Sequence, residues 1–123
     1  MFNKLAIVSI PVKDQTVSKS CYTEILGGTV VEEMPFGPGT NWIKIELPGV
    51  ATRIVLATWF PQMQPGCIQG LVLTTDDILK AHTEIKKRGL ALSEIQSQSY
   101  GQEATFEDPD GNGWVLQQPA SAT

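Results

Sequence analysis

Three oxygen-bearing side chains near the end of the chain have a spacing that could begin a calcium-binding loop. Asp108, Asp110 and Asn112 occupy alternate positions, and Gly113 follows where such a loop turns sharply. The position that should then supply a bidentate glutamate is Pro119, and the flanking residues favour strands rather than helices. The segment therefore predicts a type I turn between two strands, in which the Asp-Pro pair sets the backbone conformation.

Other residues could support acid–base chemistry without a metal. Glu46, Glu103 and Tyr100 are the candidates for a catalytic role, because a desolvated carboxylate can acquire a pKa that suits proton transfer. The spacing of these three residues in the sequence does not favour one of them as the catalytic group. The single histidine, His82, falls in a predicted helix without partners, so no histidine-dependent nucleophile or metal site can be assembled around it.

The elements that would position these groups occur twice, in the order strand, helix and three strands. The first copy is predicted as a strand at 5–12, a helix from Asp14 to Gly27, and strands at 29–33, 42–47 and 52–59. The second copy is predicted as a strand at 70–75, a helix from Asp77 to Gly89, and strands at 92–97, 102–107 and 113–118. We expect a single domain built from module one (1–60), a linker (61–67), module two (68–120) and a short tail (121–123).

Composition narrows the class of protein. The chain has 123 residues, a net charge of −4 and 41% hydrophobic residues, which is ordinary for one globular domain. It has no apolar run long enough to span a membrane and no dense basic cluster, so we expect neither a membrane nor a nucleic-acid partner. The N-terminal residues lack the pattern of a secretory signal, and we expect a cytoplasmic protein.

The order of elements and several short motifs resemble the vicinal oxygen chelate superfamily, which includes glyoxalases, extradiol dioxygenases and bleomycin resistance proteins. These motifs are Val12-x-Asp14, Cys21-Tyr22-Thr23, Leu26-Gly27-Gly28, Asp76-Asp77, Arg88-Gly89 and Asp108-Pro-Asp-Gly-Asn112. The resemblance implies an α+β fold of two tandem βαβββ modules that form a curled, mixed-sheet cup with the helices outside. It also implies a homodimer, since such modules often complete their cups between chains.

In the metal-dependent members of that superfamily, His or Glu side chains on the first and fourth strands of each module bind a divalent ion. The matching positions in this sequence are Ile7, Val55, Gly70 and Val115, and none of them carries a donor side chain. A register error of one residue would not supply a donor either. We therefore expect no metal and no cofactor, and a metal-dependent glyoxalase or dioxygenase is a poor fit.

Strand alternation assigns polar and aromatic residues to the interior of the predicted cup. The proposed ligand-binding residues are Ser9, Trp42, Arg53, Trp59, Thr74, Glu103 and Gln117. The two tryptophans could stack on a planar or cationic ligand, and the carboxylates of Glu46 or Glu103 could meet its positive charge. The same tryptophans could instead cover a sheet edge or an interface, whereas Trp114, on the opposite face, should lie in the core.

Three functions are compatible with this pattern. We predict a metal-independent small-molecule binding protein that sequesters a planar or cationic compound. The alternative is a lyase, isomerase or dioxygenase-like enzyme that uses a carboxylate of the cup or unconventional metal ligands such as Glu46, Glu103 and Gln117. A third hypothesis is a structural or regulatory module whose cup is collapsed and binds no ligand.

Overall fold

The computed structural model describes residues 1–121, so the last two positions of the predicted tail lie outside the described residues. Strands and helices follow in the order β1 Ile7–Pro11, α1 Gln15–Ser20, β2 Thr29–Pro35, β3 Asn41–Glu46, β4 Arg53–Ala57, β5 Leu71–Thr74, α2 Ile78–Lys87, β6 Gln96–Gln98, β7 Gly101–Glu107 and β8 Gly113–Pro119. Helix α1 continues directly into a π-helical turn at Cys21–Ile25. Neither helix within residues 1–121 has the length and apolar character needed to cross a membrane.

Each module forms its own four-stranded mixed sheet, and the two sheets have equivalent strand orders. The order is β1-β4-β3-β2 in module one and β5-β8-β7-β6 in module two. In both sheets the first strand runs parallel to the fourth, and the other pairs are antiparallel. The α+β prediction of two βαβββ modules is confirmed. Strands β1 and β5 are edge strands, each with one side unpaired within the described part of the chain.

Both helices begin at the predicted aspartates. The Asp14 carboxylate accepts hydrogen bonds from the backbone amides two and three residues later, at 2.9 and 3.2 Å. The Asp77 carboxylate accepts one from the amide three residues later, at 3.1 Å. These bonds satisfy amides that a helix leaves unpaired at its first turn. After the helical segments, Gly27 and Gly89 take positive φ angles of 77° and 110°, which end the helices as predicted.

The helix-bearing faces of the two sheets share one hydrophobic core. Its buried members are Ile10, Val12, Tyr22, Ile43, Ile45, Leu47, Ile54, Leu56, Ile78, Phe106, Trp114 and Leu116. The rings of Tyr22 and Trp114 meet edge to face across the modules, with centroids 6.0 Å apart. The core position predicted for Trp114 is therefore confirmed. Because the helix-bearing faces meet in this core, the opposite face of each sheet points away from the other module.

The predicted turn after β7 is present, and it joins the two modules. The buried Asp108 carboxylate accepts hydrogen bonds from the Tyr22 hydroxyl at 2.7 Å and from the Asn112 amide at 2.8 Å. The Asn112 amide also donates to the Pro11 carbonyl at 2.9 Å, and the Trp114 indole donates to the Tyr22 hydroxyl at 3.0 Å. The oxygens that imitate a calcium loop are thus engaged in hydrogen bonds within the protein.

The network also changes the acidity of two buried groups beside it. Burial and the neighbouring Asp108 carboxylate raise the pKa of the Tyr22 hydroxyl well above its usual range, so this hydroxyl stays protonated and can donate. The same two causes raise the pKa of the Cys21 thiol to about 11. Both groups therefore favour the neutral form in the folded protein.

Two local predictions differ from the structure. Strand β6 covers only Gln96–Gln98 rather than 92–97, because Leu92 forms just an isolated bridge with Phe106. The helical spacing of Val17, Cys21 and Tyr22 predicts that Val17 lies on the buried side of the first helix, but Val17 is half exposed and Ser18 is the buried residue instead. The Ser18 hydroxyl donates to the Asp110 carboxylate of module two at 3.2 Å, so the buried side of α1 is centred on the contact between modules.

Candidate functional site

The face of the first sheet that points away from helix α1 carries three of the seven predicted binding residues. We call it the open face of module one, and it comprises Ile7, Ser9, Glu32, Met34, Trp42, Lys44, Glu46, Arg53, Val55 and Ala57. Val55 is paired with Ser9 on one side and with Lys44 on the other, which places these three side chains on one face. The alternate residues Ile45 and Ile54 are buried in the shared core.

Four aromatic rings gather at one end of this face. We call Phe36, Trp42, Trp59 and Phe60 the aromatic cluster. Phe36 packs against Trp59 with centroids 4.5 Å apart and against Trp42 at 5.6 Å. The two indoles are nearly parallel, 23° apart in orientation, with centroids 5.9 Å apart. Phe36 and Phe60 remain 49% and 42% exposed, so the cluster presents an aromatic surface to solvent.

Two ion pairs lie on the open face of module one. Only Glu32–Lys44 adjoins the aromatic cluster, because Glu46 ends β3 and Arg53 begins β4, at the opposite end of the sheet from Trp42 and Trp59. The Lys44 ammonium is 3.2 Å from the Glu32 carboxylate, and the Arg53 guanidinium is 2.8 Å from the Glu46 carboxylate. The Trp42 indole also donates to the Glu32 carboxylate at 2.8 Å. Hydrogen bonds from Trp42 and Lys44 lower the pKa of Glu32, so this carboxylate stays ionised at neutral pH.

Glu32 reaches this face through a bulge in β2, and the sequence pattern did not reveal it. The register of β2 against β3 shifts between Val30 and Glu32, which reverses the alternation of side chains beyond that point. Glu33 consequently points to the helix side, where its carboxylate is 2.7 Å from the Lys19 ammonium of α1. Without the bulge, strand alternation would have put Glu33 on the open face and Glu32 behind it.

The matching face of the second sheet has a different character. We call it the open face of module two, and it comprises Val72, Thr74, Gln96, Glu103, Thr105, Val115 and Gln117. None of these is aromatic, and Val72 is 52% exposed. Tyr100, just before β7, donates its hydroxyl to the Glu103 carboxylate at 2.7 Å. That hydrogen bond raises the pKa of Tyr100, which keeps its hydroxyl protonated.

The positions that would bind a metal in the metal-dependent relatives do not fit one here. Ile7, Val55 and Val115 present hydrocarbon side chains on the open faces, and Gly70, which precedes β5, has no side chain. Within residues 1–121, no three His, Cys, Asp or Glu side chains are grouped so that they could hold a metal ion. His82 lies in α2, where one ring nitrogen is 2.8 Å from the Ser93 carbonyl.

The structure brings the predicted binding residues together in two groups rather than one. Trp42, Arg53 and Ser9 share the open face of module one, and Trp59 joins them through the aromatic cluster. The remaining three, Thr74, Glu103 and Gln117, lie on the open face of module two. A hollow of about 700 Å³ beside β7 and β8 includes Thr105 and Val115 from that second face but none of the aromatic cluster.

Phe36 and Phe60 belong to the aromatic cluster and were not predicted from the sequence. Phe36 precedes the Gly-Pro-Gly turn between β2 and β3, and Phe60 follows Trp59 beyond the end of β4. Strand alternation does not apply to residues outside strands, so the pattern gave these rings no face. The available signals were the position of Phe36 beside the turn that precedes Trp42 and the position of Phe60 next to Trp59.

Comparison with known proteins agrees with the architecture. The chain is 35% identical to TnmS3, an antibiotic binding protein from Streptomyces sp. CB03234, with a TM-score of 0.90 over 97% of this chain and 98% of that one. A glyoxalase/bleomycin resistance protein from the same strain is 36% identical, with a TM-score of 0.83 over 94% of this chain and 100% of the other.

A sequence relative and a family match extend the comparison. The uncharacterized protein YetH of Bacillus subtilis (strain 168) is 28% identical over 123 residues, which is 96% of this chain and all of YetH. The family model for the Glyoxalase/Bleomycin resistance protein/Dioxygenase superfamily matches residues 4–116, nearly the whole chain. The chain therefore belongs to the Glyoxalase/Bleomycin resistance protein/Dioxygenase superfamily.

Proposed function

We propose that the chain is a metal-independent small-molecule binding protein that sequesters a planar compound on the open face of module one. The aromatic cluster is the observation that carries this proposal, because an exposed aromatic surface beside a few fixed polar groups is typical of ligand sites. The similarity to TnmS3, an antibiotic binding protein, supports the same function. Sequestration requires affinity alone, and it makes no demand on catalytic groups.

The affinity would come from stacking and from burial of apolar surface. Trp42 and Trp59 are nearly parallel, so a planar ligand can lie against an extended aromatic surface. An aromatic contact of this kind contributes about 0.5–1.5 kcal/mol beyond the area that it buries. Ser9 and the ion-paired Glu46 and Arg53 offer hydrogen-bonding groups on the same face.

A fluorescence titration with acridone, an uncharged planar tricycle, tests the proposal. Trp59→Ala removes the ring that contacts both Phe36 and Trp42, and we expect acridone affinity to fall at least tenfold. Leu79→Ala, an exposed position on α2, is the matched control and should bind as the wild type does. Affinity unchanged by Trp59→Ala, or wild-type protein that binds no planar aromatic compound, would contradict the proposal.

We further propose that a second copy of the chain completes the site. The two open faces point away from each other within one chain, so they cannot form opposite walls of one cup. The edge strands β1 and β5 flank an apolar crevice of about 220 Å³, to which Val8, Leu71 and Trp114 contribute. Unpaired strand edges and exposed apolar surface both favour association. In a homodimer, module one of one protomer would face module two of its partner.

Subunit mixing tests this arrangement directly. Trp59→Ala damages module one, whereas Thr105→Trp obstructs the open face of module two, where Thr105 is exposed. We expect each homodimer to bind acridone at least tenfold more weakly than the wild type, and the isolated heterodimer to bind one acridone per two chains with wild-type affinity, because one intact site is regenerated. A monomer in sedimentation velocity, or a heterodimer that binds no acridone, would rule out the shared site.

The enzymatic alternative has weaker structural support. A general base needs a carboxylate that is desolvated and free to accept a proton. Glu46 is paired with Arg53 and its side chain is 44% exposed, whereas Glu103 accepts the hydrogen bond of Tyr100. These contacts favour structural and binding roles for the three catalytic candidates, and we propose no second function.

A further inference from the structure

The charges on the open face of module one are compensated within that face. Glu32 is neutralised by Lys44 and Glu46 by Arg53, at 3.2 and 2.8 Å. The Glu32 carboxylate is further engaged by the Trp42 indole. No other ionisable side chain belongs to this face in the described part of the chain. Its two acids and two bases therefore leave no net charge to attract an ionic ligand.

The aromatic cluster also lacks a gap between its rings that could enclose a cation. A ring or cation held between two aromatic planes separates them by about 7 Å, since each contact needs about 3.5 Å. The centroids of Trp42 and Trp59 are 5.9 Å apart, and Phe36 is 4.5 Å from Trp59. The rings thus pack against one another, and only their outer surfaces are available to a ligand.

A charged ligand would have to break existing contacts on this face. A cation could approach Glu32 only by displacing Lys44 or the Trp42 indole, and it would meet the resident charge of Lys44. The attraction of a cation to an exposed ring is only about 0.5–1 kcal/mol, while desolvation of the charge opposes binding. An anion would be repelled by the carboxylates of Glu32 and Glu46 on the same face. An uncharged ring system avoids both costs.

We propose that the ring system bound on the open face of module one is uncharged, which selects a neutral planar polycycle over a cationic one. This proposal rests on the proposed function and specifies its ligand class. The ion pair Glu32–Lys44 beside Trp42 acts as the specificity determinant, because it removes a charge at the aromatic cluster that would otherwise attract an ion. Glu46–Arg53 keeps the far end of the same face neutral. Glu103 has no Lys or Arg partner among residues 1–121, and in the proposed homodimer it would belong to the opposite wall of the site. Its carboxylate accepts the hydrogen bond of Tyr100 there, whereas the ring system itself lies against the aromatic cluster of module one.

Two probes of similar shape distinguish a preference for a neutral ring system from a preference for a cationic one. Acridone and N-methylacridinium are planar tricycles of similar size, one neutral and the other a permanent cation. We expect the full-length protein to bind acridone at least tenfold more tightly than N-methylacridinium in parallel titrations. Equal affinities, or tighter binding of the cation, would overturn the inference while leaving the proposed function intact. Binding of neither probe would contradict the proposed function itself.

Removal of one resident cation should change the selectivity in a defined direction. In Lys44→Gln the Glu32 carboxylate loses its counterion, so we expect affinity for N-methylacridinium to rise at least threefold while acridone changes less than twofold. Lys80→Gln makes the same change in net charge on exposed α2 and should leave both affinities unchanged. An equal rise in Lys80→Gln and Lys44→Gln would show that overall charge, rather than this ion pair, sets the selectivity.

Discussion

The β3–β4 and β7–β8 turns occupy equivalent places in the two modules, yet within residues 1–121 only the second has buried side chains that hydrogen-bond to the other module. Pro48 and Gly49, between β3 and β4, are exposed, whereas Asp108 and Asn112 are buried against module one. The open faces also differ, but here module one has the distinctive side chains. The aromatic cluster and the ion pairs Glu32–Lys44 and Glu46–Arg53 all belong to it. One copy of the repeat thus carries the proposed ligand surface, and the other carries the contact that joins the copies.

This difference shows how a repeated backbone can serve two purposes. Strand order, strand directions and the aspartate at each helix start are the same in both modules. The side chains on the two open faces differ, and function depends on those side chains rather than on the fold. The following predictions test whether the two roles are separate.

Asp108→Ala should have the largest effect, on stability. The substitution removes the buried acceptor of the Tyr22 hydroxyl and of the backbone amides at positions 110 and 112, at a cost of about 1–3 kcal/mol for each group left unsatisfied. The Asn112 side-chain amide loses one of its two acceptors and keeps the Pro11 carbonyl. We expect the free energy of unfolding in urea to fall by about 3 kcal/mol. Asp76→Ala, at an exposed position, should change it by less than about 0.5 kcal/mol. Similar effects of the two substitutions would show that the turn does not join the modules.

Trp42→Ala should mainly affect binding. The substitution removes one of the two stacked indoles, and we expect acridone affinity to fall about tenfold, equivalent to about 1.4 kcal/mol. Thr105→Ala, on the open face of module two, should reduce the affinity less than twofold. Isothermal titration calorimetry measures both. A larger loss of affinity in Thr105→Ala than in Trp42→Ala would show that the ligand surface lies on module two rather than on module one.

Cys21 should contribute a smaller effect that depends on pH. Its pKa is raised from 9.0 to about 11 in the folded protein, so its contribution to stability is complete below pH 9 and is lost as the pH rises through 11. We expect the free energy of unfolding of the wild type to fall more steeply between pH 9 and 11 than that of Cys21→Ala. Parallel slopes for the two proteins would show that the thiol beside Asp108 has the same affinity for its proton in both states.

The predictable parts of the molecule are those that local sequence determines. Asp14 and Asp77 begin helices through bonds to amides two or three residues away, which a sequence pattern displays. The bulge that turns Glu32 to the open face depends on its pairing with β3, which the sequence does not show. The partner of Asp108 is Tyr22, 86 residues earlier, so the motif revealed a turn but not its attachment.

The three tryptophans provide the most direct test of the proposed ligand surface. Trp42 and Trp59 belong to the aromatic cluster, whereas the Trp114 indole is buried and hydrogen-bonded to Tyr22. Each indole N–H gives its own signal in a proton–nitrogen correlation spectrum, and acridone can be added stepwise. We expect the Trp42 and Trp59 signals to shift with saturation while the Trp114 signal stays in place. A shift confined to Trp114, or no shift in any of the three, would contradict the assignment of ligand binding to the open face of module one.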